Sequence, residues 1–174
     1  MEEVEQIYLE NSDRVYRYIY LVVRHKETAE DLTQEAFYKA YKNIHTFNNQ
    51  SSVATWLLKI ARNVTYDHLR RKKVVQFFAL SSDNDRDLKN PSPEKSTEKK
   101  EDAARLHEAL NRLKKAYRDV LILRKIDECS IKETAYILGW TEAKVKTMMA
   151  RALVVLKKEL DEKDGVMHGS IKRT

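Results

Sequence analysis

The chain has 174 residues but only three glycines and two prolines. Both residue types punctuate turns, so their scarcity disfavours a hairpin-rich sheet protein and favours an all-helical one. A single cysteine, Cys129, excludes an internal disulfide and fits a reducing compartment. No apolar run approaches the roughly 18 residues of a membrane span, and the acidic N-terminus is unlike a signal peptide. These absences predict a cytoplasmic protein that does not insert into a membrane.

The sequence also lacks the residue patterns that mark common enzyme active sites. Its five histidines are scattered without the spacing of metal ligands, and no glycine-rich phosphate loop is present. We therefore expect no catalytic residues, no metal site and no cofactor, and an enzyme is the least favoured class of function.

What the chain does have is an uneven distribution of positive charge. The formal net charge is +6, from 33 basic and 27 acidic side chains. Lys59–Lys73 carries six basic residues and one acid, and Trp140–Lys158 carries five and one. Two basic segments in one chain indicate two separate contacts with a polyanion, although solvated helix faces are the simpler alternative.

The first basic segment belongs to a predicted helix, Thr55–Lys73, that has two faces. Apolar residues recur at helical spacing and are expected in a core: Leu57, Ile60, Ala61 and Val64. Polar residues at steps of one, three or four share a second face: Asn63, Tyr66, Asp67, Arg70 and Arg71, extended by Lys72 and Lys73. Amide, phenol and guanidinium groups of this kind bind phosphates and contact bases.

Two helical domains with a flexible linker between them account for the rest of the pattern. The predicted divisions are a first domain at 1–75, a linker at 76–102, a second domain at 103–160 and a frayed polar tail at 161–174. Before the linker we expect helices near Val4–Leu9, Asp13–Arg24 and Ala29–Asn43, the last with a capping start at Thr28–Asp31 and with Leu32, Ala36, Ala40 and Ile44 on one face. After it, a single helical stripe runs from Leu106 through Leu110, Leu113, Tyr117 and Val120 to Leu121.

The linker is identified by composition. Both prolines, Pro91 and Pro93, lie in a polar stretch that cannot bury enough apolar area to order itself. An apolar island precedes it and either caps the first domain, which is favoured, or docks on a partner: Val74, Val75, Phe77, Phe78 and Leu80.

The second basic segment follows the pattern of a helix-turn-helix. Ser130–Glu133 is a capping box, Gly139 ends the short helix that follows, and Thr141 can cap the next one. Ile131, Ala135, Leu138 and Val145 are expected to face inward. The outward positions of the second helix, which would enter the major groove of DNA, are Lys144, Lys146, Thr147, Ala150 and Arg151.

The order of these motifs resembles bacterial sigma factors. The matching segments are Ala29–Tyr41, Thr55–Asn63 with Asp67 and Arg70–Arg71, and then Leu138–Gly139, Val145–Lys146 and Arg151–Ala152. The resemblance is closest to the extracytoplasmic-function (ECF) group of the sigma-70 family, which retains only domains two and four. It implies a protein that binds core RNA polymerase, recognises −35 and −10 promoter elements and helps melt the DNA.

The resemblance also implies roles for particular residues. Asp31, Gln34 and Glu35 match the positions that contact the β′ clamp helices of the polymerase. The −10 element is expected to meet Phe47, Asn48, Asn49, Ser51 and Ser52, whose loop pockets a flipped base, and then Asn63, Tyr66, Arg70, Arg71, Lys72 and Lys73. The −35 element is expected to meet Lys144, Lys146, Thr147, Ala150 and Arg151. Further implied partners are the polymerase β flap and an anti-sigma factor.

Some points of the pattern stay open. Trp56 either helps to hold the melted strand or, as is favoured, packs in the core. Glu128–Cys129 replaces a turn that commonly contains glycine in the family, and Ala143–Lys144 replaces a common Gly–Thr pair. The main rival function is a stand-alone helix-turn-helix regulator, which leaves Ala29–Tyr41 and Thr55–Lys73 unexplained.

Overall fold

The structure is a computed structural model that describes residues 2–81 and 98–169, with side chains described for residues 5–77 and 102–161. Within these ranges the chain is helical apart from short connections, and it contains no strand. The expectation of an all-helical fold is therefore confirmed for the described residues. The chain divides into two compact units, one mostly before residue 91 and one mostly after it.

Three helices that pack against one another form the first unit: α1 (Glu2–Val23), α2 (Lys26–Lys42) and α3 (Val53–Ser81). A 3₁₀ turn, Ile44–Thr46, follows α2. The prediction of two helices within α1 was wrong. Asn11, which resembles a helix-starting residue, instead donates its side-chain amide to the Ile7 carbonyl at 2.8 Å and stays buried inside one continuous helix.

The core of the first unit combines the predicted apolar faces of its helices. Leu57, Ala61 and Val64 are buried as predicted, while Ile60 is half-buried. Ile44 was wrongly placed on the buried face of α2, since it lies in the 3₁₀ turn and is exposed. The α1 and α2 residues that complete the core include Val15, Tyr18, Ile19, Leu32 and Ala36.

Helix α2 begins earlier than predicted because a histidine caps it. His25 precedes the helix in an extended conformation, and its Nδ1 accepts the Thr28 backbone N–H at 3.2 Å. A neutral imidazole nitrogen has a lone pair that can do what a Ser or Asp oxygen does at this position. Thr28, which the sequence suggested as the cap, therefore lies within the first turn.

Tyr16 lies on α1 near the Glu30 carboxylate of α2. Its ring stacks on Tyr20 at 5.9 Å between centroids. Burial, followed by the nearby Glu30 carboxylate and the Tyr20 phenol, raises the pKa of Tyr16 above its usual value of 10.0. The phenol therefore stays neutral throughout the physiological range.

The second unit contains α4 (Glu98–Arg112), α5 (Lys115–Leu121) and α7 (Glu142–Gly169), and both α4 and α5 pack on α7. The predicted stripe through this region is interrupted. Lys114 adopts an extended conformation between α4 and α5, and its carbonyl accepts the N–H groups of Tyr117 and Arg118 in the first turn of α5. The stripe residues Leu110, Leu113, Val120 and Leu121 are nevertheless buried together, as expected.

Helices extend into segments that were predicted to lack them. Helix α3 continues to Ser81 and α4 starts at Glu98, so both ends of the predicted linker are helical, while residues 82–97, with both prolines, lie outside the described residues. The predicted frayed tail is helical to Gly169. Val74, Val75 and Phe77 are 50–70% exposed. These three side chains are therefore at least half exposed and lie outside the core of the first unit, contrary to the favoured interpretation for them, and the side chains of Phe78 and Leu80 are not described.

Candidate nucleic-acid interface

A reciprocal capping box starts the short helix α6 (Ile131–Leu138), as predicted. The Ser130 N–H donates to Glu133 Oε2 at 2.7 Å, and the Glu133 N–H donates to Ser130 Oγ at 3.1 Å. Two N–H groups that a helix start leaves without partners are satisfied in this way. The start of α6 is therefore fixed by a local hydrogen-bond pair.

The turn between α6 and α7 is fixed equally locally. Gly139 has a φ of +66°, the left-handed conformation that glycine adopts most readily, and Trp140 N–H bonds back to the Ala135 carbonyl at 3.0 Å. Thr141 Oγ1 then accepts the Lys144 N–H at 3.2 Å and caps α7. Val145 is fully buried, so the helix-turn-helix predicted from the sequence is confirmed.

The segment before α6 has Glu128–Cys129 in place of the glycine-containing turn that is common in the family. A π-helical turn, Ile122–Ile126, precedes this segment. The Cys129 N–H then bonds back to the Leu123 carbonyl at 2.8 Å. Glu128 takes the left-handed conformation at φ +53°. For a residue with a Cβ atom this conformation costs about 1–2 kcal/mol. The chain thus keeps the turn that glycine favours without having the glycine.

We expect Gly139→Ala to lower the free energy of unfolding by about 1–2 kcal/mol. A Cβ built on Gly139 has no atom within 4 Å, so the loss comes from backbone conformation alone. Urea titration followed by circular dichroism measures it. Glu128→Gly is the matched control, since it relieves the same conformation and should raise the unfolding midpoint. Equal midpoints for wild type and Gly139→Ala would contradict the assigned strain.

The recognition face of α7 is exposed at all of its predicted positions: Lys144, Lys146, Thr147, Ala150 and Arg151. The Lys144 ammonium lies over the Trp140 ring at 4.6 Å, and Thr147 donates its hydroxyl to the Ala143 carbonyl at 3.1 Å. In the part of the chain that the structure describes, neither Lys146 nor Arg151 takes part in an ion pair. No acidic side chain of the described residues therefore neutralises their charges.

The polar face of α3 is also formed as predicted. Asn63, Arg70 and Arg71 are exposed, and so are Lys72 and Lys73. Tyr66 is half-buried and lies beneath the Arg62 guanidinium, whose carbon is 5.3 Å from the ring centroid. Helix α3 thus exposes the Asn63 amide and, further along, four consecutive cations, groups that can hydrogen-bond to base edges and phosphates.

One acidic residue contacts both arginines of this face. Arg70 Nη2 lies 3.1 Å from Asp67 Oδ1, and Arg71 Nε donates to the Asp67 backbone carbonyl at 3.3 Å. These contacts hold the two guanidinium groups along the helix, one residue apart.

The loop predicted to pocket a base is anchored at both ends. Phe47 N–H bonds to the Ile44 carbonyl at 3.0 Å, and Ser52 Oγ accepts the Thr55 N–H at 3.2 Å and so caps α3. Asn49 adopts φ +56°, a conformation that asparagine tolerates better than most residues. Asn48 and Asn49 are exposed between the anchors, while Ser51 is partly buried. Two amides are therefore held out on a loop with fixed ends.

Trp56 packs against Phe47 at the start of this loop. It is 7% exposed, and its ring centroid lies 5.2 Å from that of the half-buried Phe47. The favoured interpretation of Trp56 as a core residue is confirmed. Phe47 packs on it, so the aromatic pair joins the loop to the core of the first unit.

The structure adds residues that sequence reasoning missed. Asn63 lines a groove of the first unit together with Lys39, Asn43, Thr46 and Lys59. Asn43 donates its amide N–H to the Lys39 carbonyl at 2.8 Å, which leaves its side-chain oxygen as an acceptor. Lys39 and Asn43 are four residues apart and so share a face of α2, but only the packing of α2 on α3 brings them beside Asn63.

The residues predicted to contact the polymerase lie further back on α2. Asp31 and Gln34 are exposed. Glu35 is 2.8 Å from Lys39 Nζ, and both side chains are partly exposed. Asp31 and Gln34 therefore face solvent. Glu35 forms an ion pair with Lys39, which lines the groove beside Asn63.

Residues 2–81 and 98–169 contain neither a membrane-spanning helix nor a cluster of metal-binding side chains. No helix there combines the length and the apolar composition needed to cross a bilayer. Within the same ranges, no three His, Cys, Asp or Glu side chains come together in a way that would hold a metal ion.

Comparison with known proteins identifies the family. Residues 7–74 match the model of Sigma-70 region 2, and residues 103–156 match that of Sigma-70, region 4. The chain is 33% identical to the RNA polymerase sigma factor YlaC of Bacillus subtilis, over 91% of this chain and 92% of that protein. It is 34% identical to the ECF RNA polymerase sigma factor SigX of the same species, over 92% and 86%.

A solved structure gives the same fold. The sigma factor RpoE of Bartonella quintana, crystallised with the anti-sigma factor NepR, superposes with a TM-score of 0.75 at 22% identity, covering 92% of this chain and 98% of that one. This structural match agrees with the all-helical fold described above, and the family follows from the sequence matches. The chain belongs to the ECF group of the sigma-70 family of RNA polymerase sigma factors.

Proposed function

We propose that this sigma factor directs core RNA polymerase to promoters through two DNA contacts made by different parts of the chain. The exposed face of α7 contacts the −35 element, and the polar face of α3 with the 47–52 loop contacts the −10 element. The observation that carries the proposal is that each family region contains its own exposed basic face. A stand-alone helix-turn-helix regulator would not explain the first of these regions.

The −35 contact is expected to be specific at its base-reading positions. Arg151 can form two hydrogen bonds with a guanine edge, and Ala150 can offer only an apolar contact, for example to a thymine methyl group. Lys146 can contact either a base or a phosphate. Lys144, held over Trp140, lies at the N-terminal end of the helix, where phosphate is also attracted by the helix dipole.

Duplex melting at the −10 element follows from binding energy alone. Each base step that is unstacked costs about 1.4 kcal/mol. Capture of one exposed base returns roughly 1–3 kcal/mol. The loop around Asn48 and Asn49, the amide of Asn63 and the cations from Arg70 to Lys73 together offset a short melted stretch. Contacts with the polymerase further stabilise the melted state.

The division of labour within the chain follows the family regions. We assign residues 1–75 to domain two, which binds the polymerase and the −10 element, and residues 103–160 to domain four, which binds the −35 element. Residues 76–102 then connect the domains, and 161–174 form a tail. Asp31, Gln34 and Glu35 are assigned to the β′ clamp helices, and domain four to the β flap.

Regulation by a protein inhibitor fits this assignment. The solved relative from Bartonella quintana is held by an anti-sigma factor, and we propose a partner of the same kind here. A factor that works on RNA polymerase acts in the bacterial cytoplasm, so this is the compartment we propose. No catalytic step is assigned to the chain, since polymerase supplies the chemistry.

A binding assay with purified core polymerase tests the proposal. We expect the wild-type chain to be retained by immobilised core enzyme, and a variant with Asp31→Ala, Gln34→Ala and Glu35→Ala to be retained at least about ten-fold more weakly, because each exposed contact is worth about 1 kcal/mol. Glu5→Ala with Gln6→Ala is the control, because it removes an exposed acid and an exposed amide from α1. Equal retention of the two variants would contradict the assigned face.

A further inference from the structure

Asp67 is placed against the basic end of α3. It is the only acidic residue between Lys59 and Lys73, a segment with six basic side chains. Its carboxylate lies 3.1 Å from Arg70 Nη2, with the two side chains 45% and 76% exposed. Its backbone carbonyl accepts the N–H of Arg71 Nε at 3.3 Å. The acid therefore lies where the proposed function needs positive charge.

The four cations of this end are not equivalent as a result. Among the described residues, Lys72 and Lys73 take part in no ion pair, whereas Arg70 forms an ion pair with Asp67. The guanidinium group has five N–H donors, so Arg70 can still hydrogen-bond to a phosphate while it contacts Asp67. The carboxylate nevertheless repels that phosphate and reduces the gain from releasing a counterion.

This arrangement weakens binding that depends on phosphates alone. Non-promoter duplex DNA offers only phosphates, and its affinity falls with each cation that is neutralised. At a promoter, captured bases and the polymerase also hold the strand in place. The cost of displacing Asp67 from Arg70 is therefore a smaller fraction of the total binding free energy there. A carboxylate beside Arg70 thus lowers non-promoter binding more than promoter binding.

On the basis of the proposed function, we propose that Asp67 is a specificity-determining residue that restrains Arg70 and so limits binding of the chain to non-promoter DNA. It acts through Arg70 and does not itself contact DNA. The residue belongs to the motif by which the chain resembles its family, but its contact with Arg70 is seen only in the structure.

The first test measures binding of the isolated full chain to a non-promoter duplex by fluorescence anisotropy at several salt concentrations. We expect Asp67→Asn to bind about two- to five-fold more tightly at low salt, the range expected from freeing an exposed ion pair. The plot of log affinity against log salt should steepen by up to about 0.9, the slope of one further phosphate contact. Asp13→Asn on α1 makes the same change in net charge and should leave the slope unaltered.

A double-mutant cycle separates this role from a structural one. In a chain carrying Arg70→Gln, the added Asp67→Asn change should have no effect on affinity or slope, and Asp67→Glu should behave as wild type. Thermal unfolding by circular dichroism checks that each variant folds. Should Asp67→Asn unfold, Asp67→Ser replaces it in the same cycle. Weaker binding by the folded variant, an unchanged slope, or an equal effect with and without Arg70 would overturn the proposal.

The second test uses holoenzyme. With polymerase added, the ratio of promoter to non-promoter affinity should fall about two-fold or more for Asp67→Asn. A ratio that stays at the wild-type value would contradict a role in specificity. If the wild-type chain failed to direct polymerase at all, the proposed function would be rejected, while the isolated-chain titrations would still decide whether Asp67 restrains Arg70.

Discussion

Replacing Asn63 with alanine is expected to slow promoter opening about five- to 150-fold, which corresponds to losing a base contact worth about 1–3 kcal/mol. The residue is exposed on α3, in the groove that it shares with Lys39, Asn43 and Lys59. Its amide can both donate and accept, as recognition of a base edge requires. Because no core contact depends on it, the variant should fold and bind polymerase as wild type does.

The measurement pairs two assays of the same preparation. Fluorescence of 2-aminopurine placed in the −10 element reports strand opening, and retention on immobilised core enzyme reports assembly. Gln6→Ala is the matched control, because it removes an exposed amide from α1. Equal losses in both assays for Asn63→Ala would reject the assignment of Asn63 to the DNA.

Arg151→Ala is expected to weaken binding to the −35 element by about 1–3 kcal/mol, provided that the guanidinium group contacts a base. Arg151 is exposed in the third turn of α7, and the turn before that helix is fixed by Gly139 and Thr141. Because the capping bonds hold the helix start in one place, the side chain should reach the same base pair in every complex.

Two comparisons make this test sharp. Lys157→Ala removes one positive charge from the same helix, at a position about a third of a turn round from Arg151, and should change −35 binding little. A series of single base changes in the −35 element should show relaxed specificity at one position for Arg151→Ala. A uniform loss over all sequences, with a salt slope lower by about 1, would instead assign Arg151 to a phosphate.

The parts of the fold that depend on local chemistry were predicted well from sequence. The capping box at Ser130, the left-handed Gly139 and the cap at Thr141 each involve groups within four residues, so their pattern is visible in the sequence. The break predicted within α1 was wrong for a related reason. Asn11 has the chemistry of a helix start, but its burial and its bond to Ile7 are set by packing that a local pattern does not show.

The candidate site divides in the same way. The spacing of Asn63, Arg70 and Arg71 along one helix was enough to place them on one face, because helix geometry is regular. The groove beside Asn63 needed the structure, since Lys39 and Asn43 come from another helix. The interrupted stripe at Lys114 was missed because both helices bury their apolar residues in one core, so the pattern continues across the break.

Transcription from a library of random promoters by purified core polymerase tests the account most directly, because it requires both DNA contacts and the polymerase contact at once. With this chain added, we expect transcripts that start downstream of a paired −35 and −10 motif at a constant spacing. Arg151→Ala should relax the first motif, and Asn63→Ala should reduce initiation from all selected promoters. Transcription that is the same with and without the chain, or transcripts enriched for a −35 motif alone, would contradict the account.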